Sequence, residues 1–487
     1  MRPFLSHPFD DDKLKEECGV FGVIGVADAA NFVALGMHAL QHRGQEAGGI
    51  VTYDPETGFN SARRFGYVRD NFTKAGVMAT LPGEIGIGHV RYSTAGSKGA
   101  TAIRDVQPFF GEFSMGGCAL AHNGNITNAA ALRRELIERG SIFQSSSDSE
   151  CIIHLMARSI QKNIPERMKD ALRRVEGAFS VVAMTRTKLI GVRDALGVRP
   201  LVLGKLGDGA WCLSSETCGL DIIGAEFVRE IEPGEMVVID ANGVESFHPF
   251  EPAKSRFCIF EHVYFSRPDS ILGGRSVYET RHAIGVELAR EAPVEADLVC
   301  PVPDSGTPAA IGFAAESGIP YGMGIIRNQY MGRTFIEPTE QIRNMGVRLK
   351  LNVNRALVRG KRVILVDDSV VRGTTSRKIK DMILDAGAAE VHFRIASPPT
   401  AWPCFYGVDT PERAKLLAAT MSEDEMREWI GVDSLKFISL DGLYRAVGEA
   451  NGRDPKAPRY CDACFSGEYP VAPSDMIEKG FEMKAAE

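Results

Sequence analysis

Cys18 begins the run Cys-Gly-Val-Phe-Gly and has the features of a nucleophile that carries its own base. The residues ahead of it, 10–17, form the charged run Asp-Asp-Asp-Lys-Leu-Lys-Glu-Glu, which is typical of a removable leader. Cleavage before Cys18 would leave a thiol and a free α-amine on one residue, and an α-amine titrates near pH ~7.7–8.0, where a general base works well. An isolated cysteine-glycine pair is more often part of a buried strand, so the hypothesis depends on the rest of the chain.

A second run that could do chemistry lies at residues 363–375, with the sequence Val-Ile-Leu-Val-Asp-Asp-Ser-Val-Val-Arg-Gly-Thr-Thr. Four apolar residues predict a buried strand, Asp367 and Asp368 follow at its tip, and a turn rich in Gly, Ser and Thr begins a helix. Backbone N–H groups and hydroxyls of such a turn can bind a phosphate at the positive end of the helix. The two carboxylates would repel that phosphate unless they face ribose hydroxyls or a Mg²⁺ ion.

The elements that must position these residues change character along the chain. Up to about residue 239, short alternating strands and a few helices, predicted at 128–139 and 149–161, indicate an α+β layered sandwich. The segment 249–255, with two prolines and two charges, is the predicted domain boundary. The strands of the first part are predicted at 18–26, 85–93, 118–121, 179–185, 189–193 and 201–204.

Beyond the boundary the order becomes strand, loop, helix, strand. Helices are predicted at 309–317 and 376–386, and turns at 304–308 and 367–375. The pattern indicates two βα units of a parallel sheet, whose ligands bind at the carboxyl ends of the strands. The strands of this part are predicted at 297–303, 362–366 and 391–397.

Composition limits the classes of protein that remain. The 487 residues imply two to four domains at ~100–200 residues each, and a net charge of −7 gives no overall basic field, so nucleic acid is not an expected partner. No apolar run reaches the ~18–20 residues of a membrane span and no signal peptide is evident, which predicts a cytoplasmic protein without membrane association. In that compartment, ten cysteines favour metal binding or catalysis over disulfides.

Three motifs of the first part resemble the class II glutamine amidotransferase domain, whose nucleophile is an N-terminal cysteine. They are His-Ala-Leu-Gln-His-Arg-Gly-Gln-Glu at 38–46, Gly-His-Val-Arg-Tyr-Ser-Thr at 88–94 and His-Asn-Gly-Asn at 122–125. Residues 363–375 resemble the diphosphoribosyl-binding fingerprint of type I phosphoribosyltransferases. From Cys18 to about Pro470, the chain therefore resembles the glutamine phosphoribosylpyrophosphate amidotransferase (amidophosphoribosyltransferase) family.

The resemblance implies two domains. Residues 18–253 would form an α+β N-terminal-nucleophile glutaminase domain with αββα layers, and residues 254–470 an α/β type I phosphoribosyltransferase domain. Residues 1–17 would be a propeptide and residues 471–487 a C-terminal tail. The implied reaction turns phosphoribosylpyrophosphate, glutamine and water into 5-phosphoribosylamine, glutamate and pyrophosphate, the first committed step of de novo purine biosynthesis. A homotetramer and feedback inhibition by purine nucleotides are also implied.

The resemblance assigns roles at the glutamine site. Cys18 would attack the glutamine amide and form a thioester, with its own amine carrying the proton. Asn123 and the N–H of Gly124 would stabilise the oxyanion, at roughly 3–4 kcal/mol per donor. Arg91 would bind the glutamine α-carboxylate and Asp148 the α-ammonium. Without the resemblance, the simpler interpretation of Asp148 is a helix N-cap and that of Arg91 a surface ion pair. His42 and His122 would be structural hydrogen-bonding groups.

At the phosphoribosyl site, the resemblance implies that Asp367 and Asp368 bind the ribose hydroxyls or Mg²⁺. The turn at 302–307, which contains Ser305, would bind pyrophosphate and Mg²⁺. Residues 327–353 would form a lid over the substrate, with Arg333 on the ligand side and the walls of an ammonia passage formed by Tyr330, Phe335 and Ile336. The 5-phosphate would be held by Ser369, Arg372, Gly373, Thr374 and Thr375.

Four cysteines are assigned to a metal centre by the resemblance: Cys258, Cys404 and the C-x-x-C pair Cys461 and Cys464. Four thiolates can bind Zn²⁺ or a [4Fe–4S] cluster, and spacing does not separate the two. The resemblance is to the cluster-bearing branch of the family and implies a [4Fe–4S] cluster with a structural role far from the chemistry. The remaining cysteines are expected in the core: Cys118, Cys151, Cys212, Cys218 and Cys300.

Three other functions compete with this interpretation. Another class II amidotransferase would carry a different second half, which the 363–375 fingerprint argues against. A salvage phosphoribosyltransferase with an inert first domain would use ammonia but not glutamine. A non-catalytic nucleotide sensor would need a degraded site, whereas every motif residue is present.

Overall fold

The first half of the chain folds as two stacked antiparallel sheets. The computed structural model describes residues 15–16, 18–92, 100–207, 209–328, 351–481 and 483. Apolar residues that alternate along the strands bury one face of each sheet against the other, among them Val20, Ile87 and Val182. The strands up to residue 247 are β1 Lys15–Glu16, β2 Gly19–Ile24, β3 Ala47–Asp54, β4 Gly58–Phe65, β5 Ile85–Arg91, β6 Phe109–Phe113, β7 Gly116–Ile126, β8 Gly177–Met184, β9 Leu189–Arg193, β10 Val202–Lys205, β11 Trp211–Ser214, β12 Glu226–Glu230, β13 Met236–Asp240 and β14 Gly243–Phe247.

Helices cover the outer face of each sheet. The first sheet has the order β12-β10-β11-β2-β5-β3-β4 and the second β14-β13-β9-β8-β7-β6. Val33 and Met37 pack on the first sheet, and Leu132 and Ile152 on the second, which confirms the predicted αββα arrangement. The helices of this half are α1 Ala29–Ala39, α2 Val68–Asn71, α3 Ala75–Met78, a 3₁₀ turn Ala100–Asp105, α4 Ala129–Glu138, α5 Glu150–Arg158, α6 Ile164–Leu172 and α7 Cys218–Asp221.

The strand β7 differs from its prediction in an informative way. The sequence predicts a strand that ends at residue 121, because the polar run at 122–125 interrupts the apolar pattern. In the structure the strand continues to Ile126, since Asn123 and Gly124 pair with Ser180 and Phe179 of β8. The polar run therefore lies inside the sandwich, held by its neighbour. The helix expected at 149–161 is also shorter, because Ser159 is extended.

The second half is built on a parallel sheet. Its four central strands follow the order β18-β21-β22-β24, and apolar residues on both faces make it a fully buried sheet, as the two predicted βα units require. The strands are β15 Phe257–Cys258, β16 Ile271–Leu272, β17 Arg275–Ser276, β18 Leu298–Pro301, β19 Ile325–Arg327, β20 Leu351–Val353, β21 Arg362–Asp367, β22 Glu390–Ile395, β23 Val408–Asp409, β24 Ser434–Phe437 and β25 Tyr460–Cys461.

Helices sandwich this parallel sheet. Ile284 and Phe313 pack on one face with Ile364, while Ile379 and Met426 pack on the other. No helix in the described part of the chain is long and apolar enough to cross a membrane. The helices are a π-helical turn Glu261–Phe265, α8 Val277–Glu291, α9 Thr307–Ser317, α10 Arg355–Val358, α11 Thr374–Asp385, a 3₁₀ turn Arg413–Lys415, α12 Leu417–Thr420, α13 Glu423–Ile430, α14 Leu440–Ala446, α15 Ala463–Ser466 and α16 Ser474–Ile477.

The two halves are in direct contact. Residues 248–256 contain no helix or strand, which is where the boundary is predicted. Beyond that segment, β1 pairs antiparallel with β23 of the second half, and the carboxylate of Asp475 near the C-terminus accepts hydrogen bonds from the N–H groups of Ala130 and Ala131 in α4. Chain segments far apart in sequence therefore hold the halves together.

Candidate active sites

Cys18 immediately precedes β2, at one end of the first sheet. Its side chain is buried and its φ is 72°, a left-handed conformation that costs a residue with a side chain on the order of 1–3 kcal/mol. The carbonyl of Cys18 accepts a hydrogen bond from Nε of Arg43 at 3.4 Å. Two residues on, Val20 exchanges hydrogen bonds with Ser215. The start of the strand that carries the thiol is therefore fixed on both sides.

Arg91 lies at the same sheet end as Cys18. Gly19 pairs with Val90 in the antiparallel ladder of β2 and β5, so Arg91 is the residue across from Cys18. The guanidinium of Arg91 is buried, with Nη2 3.7 Å from Oδ2 of Asp105. Arg91 is thus part of a buried ion pair. The alternative interpretation of Arg91, a surface ion pair, is wrong.

Asn123 is fully buried and stands out in the polar run of β7. Within the described part of the chain, neither its amide oxygen nor its amide nitrogen has a hydrogen-bond partner. A buried amide without a partner costs about 1–3 kcal/mol, so a protein keeps one where a ligand satisfies it. Gly124 follows with φ 136°, and a Cβ there would lie 2.0 Å from the carbonyl oxygen of Ala178, so only glycine fits.

Asp148 is anchored to the end of β7. Its Oδ2 accepts a hydrogen bond from the N–H of Ile126 at 2.9 Å and its Oδ1 one from the N–H of Ser149 at 2.7 Å. The N-cap of α5 is Ser149, so Asp148 lies one residue before the cap, and its carboxylate accepts the N–H of that cap residue. The carboxylate is also bonded to β7 at Ile126, two residues beyond Gly124.

A buried polar network lies behind β7. Nδ1 of His122 is 2.8 Å from Oγ of Ser149, and the N–H of His122 donates to Oε1 of Gln107 at 2.7 Å. Burial lowers the pKa of His122, and burial together with Arg91 lowers the pKa of His89 to about 3, so both imidazoles are neutral at physiological pH. This agrees with a structural role for His122. Gln107 lies outside every motif, so no sequence pattern pointed to it.

Arg43, from the motif at 38–46, connects Cys18 to the second half. Nη2 of Arg43 donates to Oε1 of Glu261 at 2.8 Å, and Nη1 of Arg199 donates to the same oxygen at 3.1 Å. Arg43 also pairs with Glu216, which in turn is 2.7 Å from Nε2 of His42. Burial alone would raise the pKa of Glu216, but His42 and Arg43 hold it well below its ordinary value. Sequence reasoning missed this network because its partners are far apart in the chain.

The carboxyl end of β21 brings together four of the residues predicted for the phosphoribosyl site. Asp367 and Asp368 are buried, and Asp368 accepts hydrogen bonds from Oγ of Ser305 at 2.5 Å and from Oγ of Ser369 at 2.7 Å. The N–H of Asp368 donates to Oδ1 of Asp367 at 2.9 Å. Oxygen atoms of the two βα turns thus meet at one point, as Mg²⁺ would require.

The turn after Asp368 leads into α11. Gly373 is its N-cap with φ 71°, and Thr374 and Thr375 form its first turn, so the helix begins two residues earlier than predicted. N–H groups in a first helical turn have no intrahelical acceptor and carry the positive end of the dipole. Arg372 is exposed beside this turn. Arg333, Tyr330, Phe335 and Ile336 lie outside the described residues.

The four assigned cysteines line one pocket of the second half. Cys258 and Cys461 are paired on the parallel strands β15 and β25, and Cys404 and Cys464 complete the lining together with aromatic residues. All four thiols are free of disulfides, and burial raises the pKa of Cys258 to about 12 and that of Cys461 well above its ordinary value. Within the described ranges, no group of three or more His, Cys, Asp or Glu side chains is arranged to hold a metal ion.

The position of this pocket corrects one expectation. The loop that carries Cys404 packs against the glutamine half: Gly407 lies on Gly124, and the carbonyl of Phe405 accepts a hydrogen bond from Asn125. The four-cysteine site is therefore not far from the residues assigned to glutamine chemistry. The five other cysteines are buried, as predicted.

The fold and its sites define a glutamine amidotransferase joined to a phosphoribosyltransferase, and comparisons with known proteins agree. A model of the glutamine amidotransferase domain matches residues 94–221. The amidophosphoribosyltransferase of Rhizobium etli is 55% identical over 95% of this chain and 94% of its own, and that of Bacillus subtilis 46% identical over 94% and 95%. The solved structure of the B. subtilis glutamine phosphoribosylpyrophosphate amidotransferase, complexed with ADP and GMP, superposes with a TM-score of 0.87 at 44% identity, covering 94% of this chain and 98% of that chain.

The chain belongs to the amidophosphoribosyltransferase family. It is an enzyme that makes 5-phosphoribosylamine from phosphoribosylpyrophosphate and glutamine, the first step of purine biosynthesis. The family typically uses Mg²⁺.

Proposed function

We propose that Cys18 releases ammonia from glutamine and that the ammonia reacts at the carboxyl end of β21. The observation that carries this proposal is the buried, unpartnered amide of Asn123 in the sandwich that also holds Cys18. Removal of residues 1–17 would free the α-amine of Cys18 to take the thiol proton. The thiolate would then attack the amide carbon, and the proton would pass to the departing ammonia.

The oxyanion formed in this attack needs donors that are already in place. The Nδ2 group of Asn123 and the N–H of Gly124 are proposed to supply them, at roughly 3–4 kcal/mol per donor. Water then hydrolyses the thioester, with the amine of Cys18 as base, and glutamate leaves. The amide of Asn123 has no competing partner among the described residues, so it can donate to the oxyanion without first breaking another hydrogen bond.

Arg91 and Asp148 are proposed to hold the two charged ends of the glutamine backbone. Arg91 lies across from Cys18 and presents a planar fork suited to a carboxylate. Asp148 is fixed by two backbone N–H groups, and a carboxylate so placed is suited to bind an ammonium. Because both residues are held by neighbours, substrate binding does not have to order them.

The second step is proposed to take place around Asp367 and Asp368. With Ser305 these residues offer the oxygen ligands that Mg²⁺ prefers, and the ion would neutralise the pyrophosphate as it leaves C1 of the ribose. Ser369, Arg372, Gly373, Thr374 and Thr375 are proposed to bind the 5-phosphate at the start of α11. Arg333 is proposed as a further ligand from the segment outside the described residues.

Cys258, Cys404, Cys461 and Cys464 are proposed to hold a [4Fe–4S] cluster. Their thiols share one pocket, and the N–H of Tyr406 donates to Sγ of Cys404 at 3.3 Å, a bond that suits a ligating thiolate. Each thiolate of such a cluster binds a different iron, so the sulfurs need not converge on one point. Protein purified without oxygen should be brown, with about four iron and four sulfide per chain; colourless, zinc-loaded protein would contradict the assignment.

The regulation and assembly that we propose for this chain are based on its relatives. The B. subtilis enzyme was solved with ADP and GMP, and we propose purine nucleotides as feedback inhibitors of this chain. We further propose a homotetramer with a cytoplasmic location. The proposed domains span 18–253 and 254–470, with a propeptide at 1–17 and a tail at 471–487. Sedimentation and mass analysis of the purified protein would test the assembly and the mature N-terminus.

The central test compares two ammonia sources in one protein. Cys18→Ala should reduce glutamine-dependent pyrophosphate release by at least about 10³-fold, because it removes the nucleophile, and should retain release driven by added ammonia. Cys212→Ala, which changes a buried thiol of the first sheet, is the matched control and should retain both. Wild-type protein with its N-terminus at Cys18 that uses ammonia but not glutamine would favour a salvage phosphoribosyltransferase.

A further inference from the structure

Residues 404–407 of the second half, here called the bridging loop, join the four-cysteine pocket to β7. Its second residue, Phe405, accepts a hydrogen bond through its carbonyl from Nδ2 of Asn125 at 2.9 Å. Its third, Tyr406, accepts one through its carbonyl from Nε of Arg199 at 2.8 Å. Both donors belong to the glutamine half, so the bridging loop is bonded across the boundary between the halves at two consecutive residues.

The last residue of the bridging loop touches the proposed oxyanion strand directly. Gly407 has φ 106°, and a Cβ built on it would lie 2.9 Å from Cα and 3.1 Å from the carbonyl carbon of Gly124. On its other side, Gly124 approaches Ala178 so closely that a Cβ would lie 2.0 Å from that residue's carbonyl oxygen. Gly124 is therefore held between β8 and the bridging loop, with no room for a side chain on either glycine.

The other end of the bridging loop is fixed as well. Sγ of Cys404 accepts the N–H of Tyr406, and the hydroxyl of Tyr406 donates to the carbonyl of Val471 while accepting the N–H of Val471 at 3.0 Å. Tyr406 is fully buried among these partners. A loop anchored at both ends transmits its position to whatever it touches, and here that is Gly124.

We propose that the bridging loop positions Gly124 as an oxyanion donor, so that part of the glutamine site is built by the phosphoribosyl half. This rests on the proposed function of Gly124. Oxyanion donors act only within about 2.7–3.1 Å of the developing charge, and a displacement of about 1 Å can cost roughly 10²-fold in rate. Asn125, Phe405 and Gly407 are thus positioning residues, and the ammonia-dependent step has no need of them.

The first test removes the bond from β7 to the bridging loop. Asn125→Ala should reduce the glutamine-dependent kcat by about tenfold and change the KM for glutamine by less than about twofold, because a transition-state donor moves while substrate contacts remain. The ammonia-dependent rate should not change. Asn128→Ala is the matched control. Nδ2 of Asn128 also donates to a backbone carbonyl, that of Arg174 at 3.0 Å, but this bond stays within the glutamine half.

The second test pushes the bridging loop against Gly124. Gly407→Ala should reduce the glutamine-dependent kcat by about 10²-fold, because the new methyl group must displace the backbone of Gly124. Gly243→Ala is the matched control: its φ is 111°, so it suffers the same backbone strain, but a Cβ there meets nothing within 4 Å. Gly243→Ala should retain the wild-type kcat after correction for folded protein.

Two outcomes would overturn the proposal. Wild-type glutamine-dependent kcat in both variants would overturn it, and so would a parallel loss of the ammonia-dependent rate, which indicates a general structural defect. If Asn125→Ala does not fold, the comparison of Gly407→Ala with Gly243→Ala decides alone. Full glutamine-dependent activity in Cys18→Ala would instead overturn the proposed function, so the two failures are distinguishable.

Discussion

The two catalytic regions of this protein are built in opposite ways. The phosphoribosyl region gathers most of its groups from one continuous segment, where Asp367 ends a strand and Thr375 lies in the next helix. The glutamine region collects Cys18, Arg91 and Asn123 from three different strands of two sheets. A phosphate can be held by the backbone of one turn, whereas a thiol, an oxyanion hole and an amino-acid clamp must converge from several directions.

The two regions are vulnerable to different changes. A contiguous turn tolerates movement of its surroundings, because its donors move together. A site assembled from separate strands depends on every contact that fixes their relative positions, including contacts from the other half through Arg43 and the bridging loop. Changes at the two regions should therefore separate the ammonia-dependent reaction from the glutamine-dependent one.

The largest expected effect is at the phosphoribosyl region. Asp368→Asn should reduce both glutamine- and ammonia-dependent pyrophosphate release by about 10³-fold, because it removes a charge that the Mg²⁺ site needs. Hydrolysis of glutamine to glutamate, measured separately, should persist. Asp381→Asn, an exposed carboxylate of α11 paired with Lys380, is the control and should change neither. Loss of glutamate release in Asp368→Asn would contradict the expectation that the two regions can be changed separately.

The converse experiment changes the oxyanion amide. Asn123→Ala should lower glutamine-dependent kcat by about 10²-fold and leave the ammonia-dependent rate intact. Because the amide has no partner in the described structure, its removal should cost little free energy of unfolding, less than about 1 kcal/mol in denaturant titration. Asn60→Ala, at an exposed hairpin, controls for the substitution. A large loss of stability would indicate that Asn123 is a structural residue.

The junction between the regions should matter more for stability than for either reaction. Glu261→Ala leaves Arg43 and Arg199 buried without their shared carboxylate. Removing one partner of a buried ion pair lowers the free energy of unfolding by about 3–5 kcal/mol. Glu316→Ala removes the partner of Arg290 at the surface and should cost less than about 1 kcal/mol. Thermal unfolding measures both. Equal losses would contradict the assignment of Glu261 as the buried connection.

The smallest effect expected near neutral pH is a pH dependence of stability in the glutamine region. His89 is fully buried with its pKa lowered to about 3 from 6.5, so the unfolded chain binds a proton between these values that the folded chain does not. The stabilising contribution is present above pH 6.5 and is lost as the pH falls towards 3, by up to about 1.4 kcal/mol per pH unit. His89→Gln should flatten the acid limb of a stability profile. An unchanged acid limb would contradict burial of the neutral ring.

Much of the fold was accessible to sequence reasoning. Alternating apolar residues identified β5, β8 and β9, and the strand-turn-helix order identified the parallel sheet, because these patterns are local. The end of β7 was missed, since its polar residues 122–125 are buried only through pairing with β8. The anchoring of Asp148 to β7 was equally hidden, because one of its two backbone donors, Ile126, lies 22 residues away in the chain.

The sequence by itself determined the chemistry that this chain can perform. Cys18, the run at 363–375 and the amidotransferase motifs carry their meaning in residue type and spacing, which need no knowledge of distant partners. The tertiary structure was needed to show that buried Asn123 has no partner among the described residues, that Glu261 joins Arg43 to Arg199, and that Gly407 lies against Gly124. Periodicity along a chain reports how deeply a residue is buried, whereas the identity of its partner depends on where segments hundreds of residues apart come to pack.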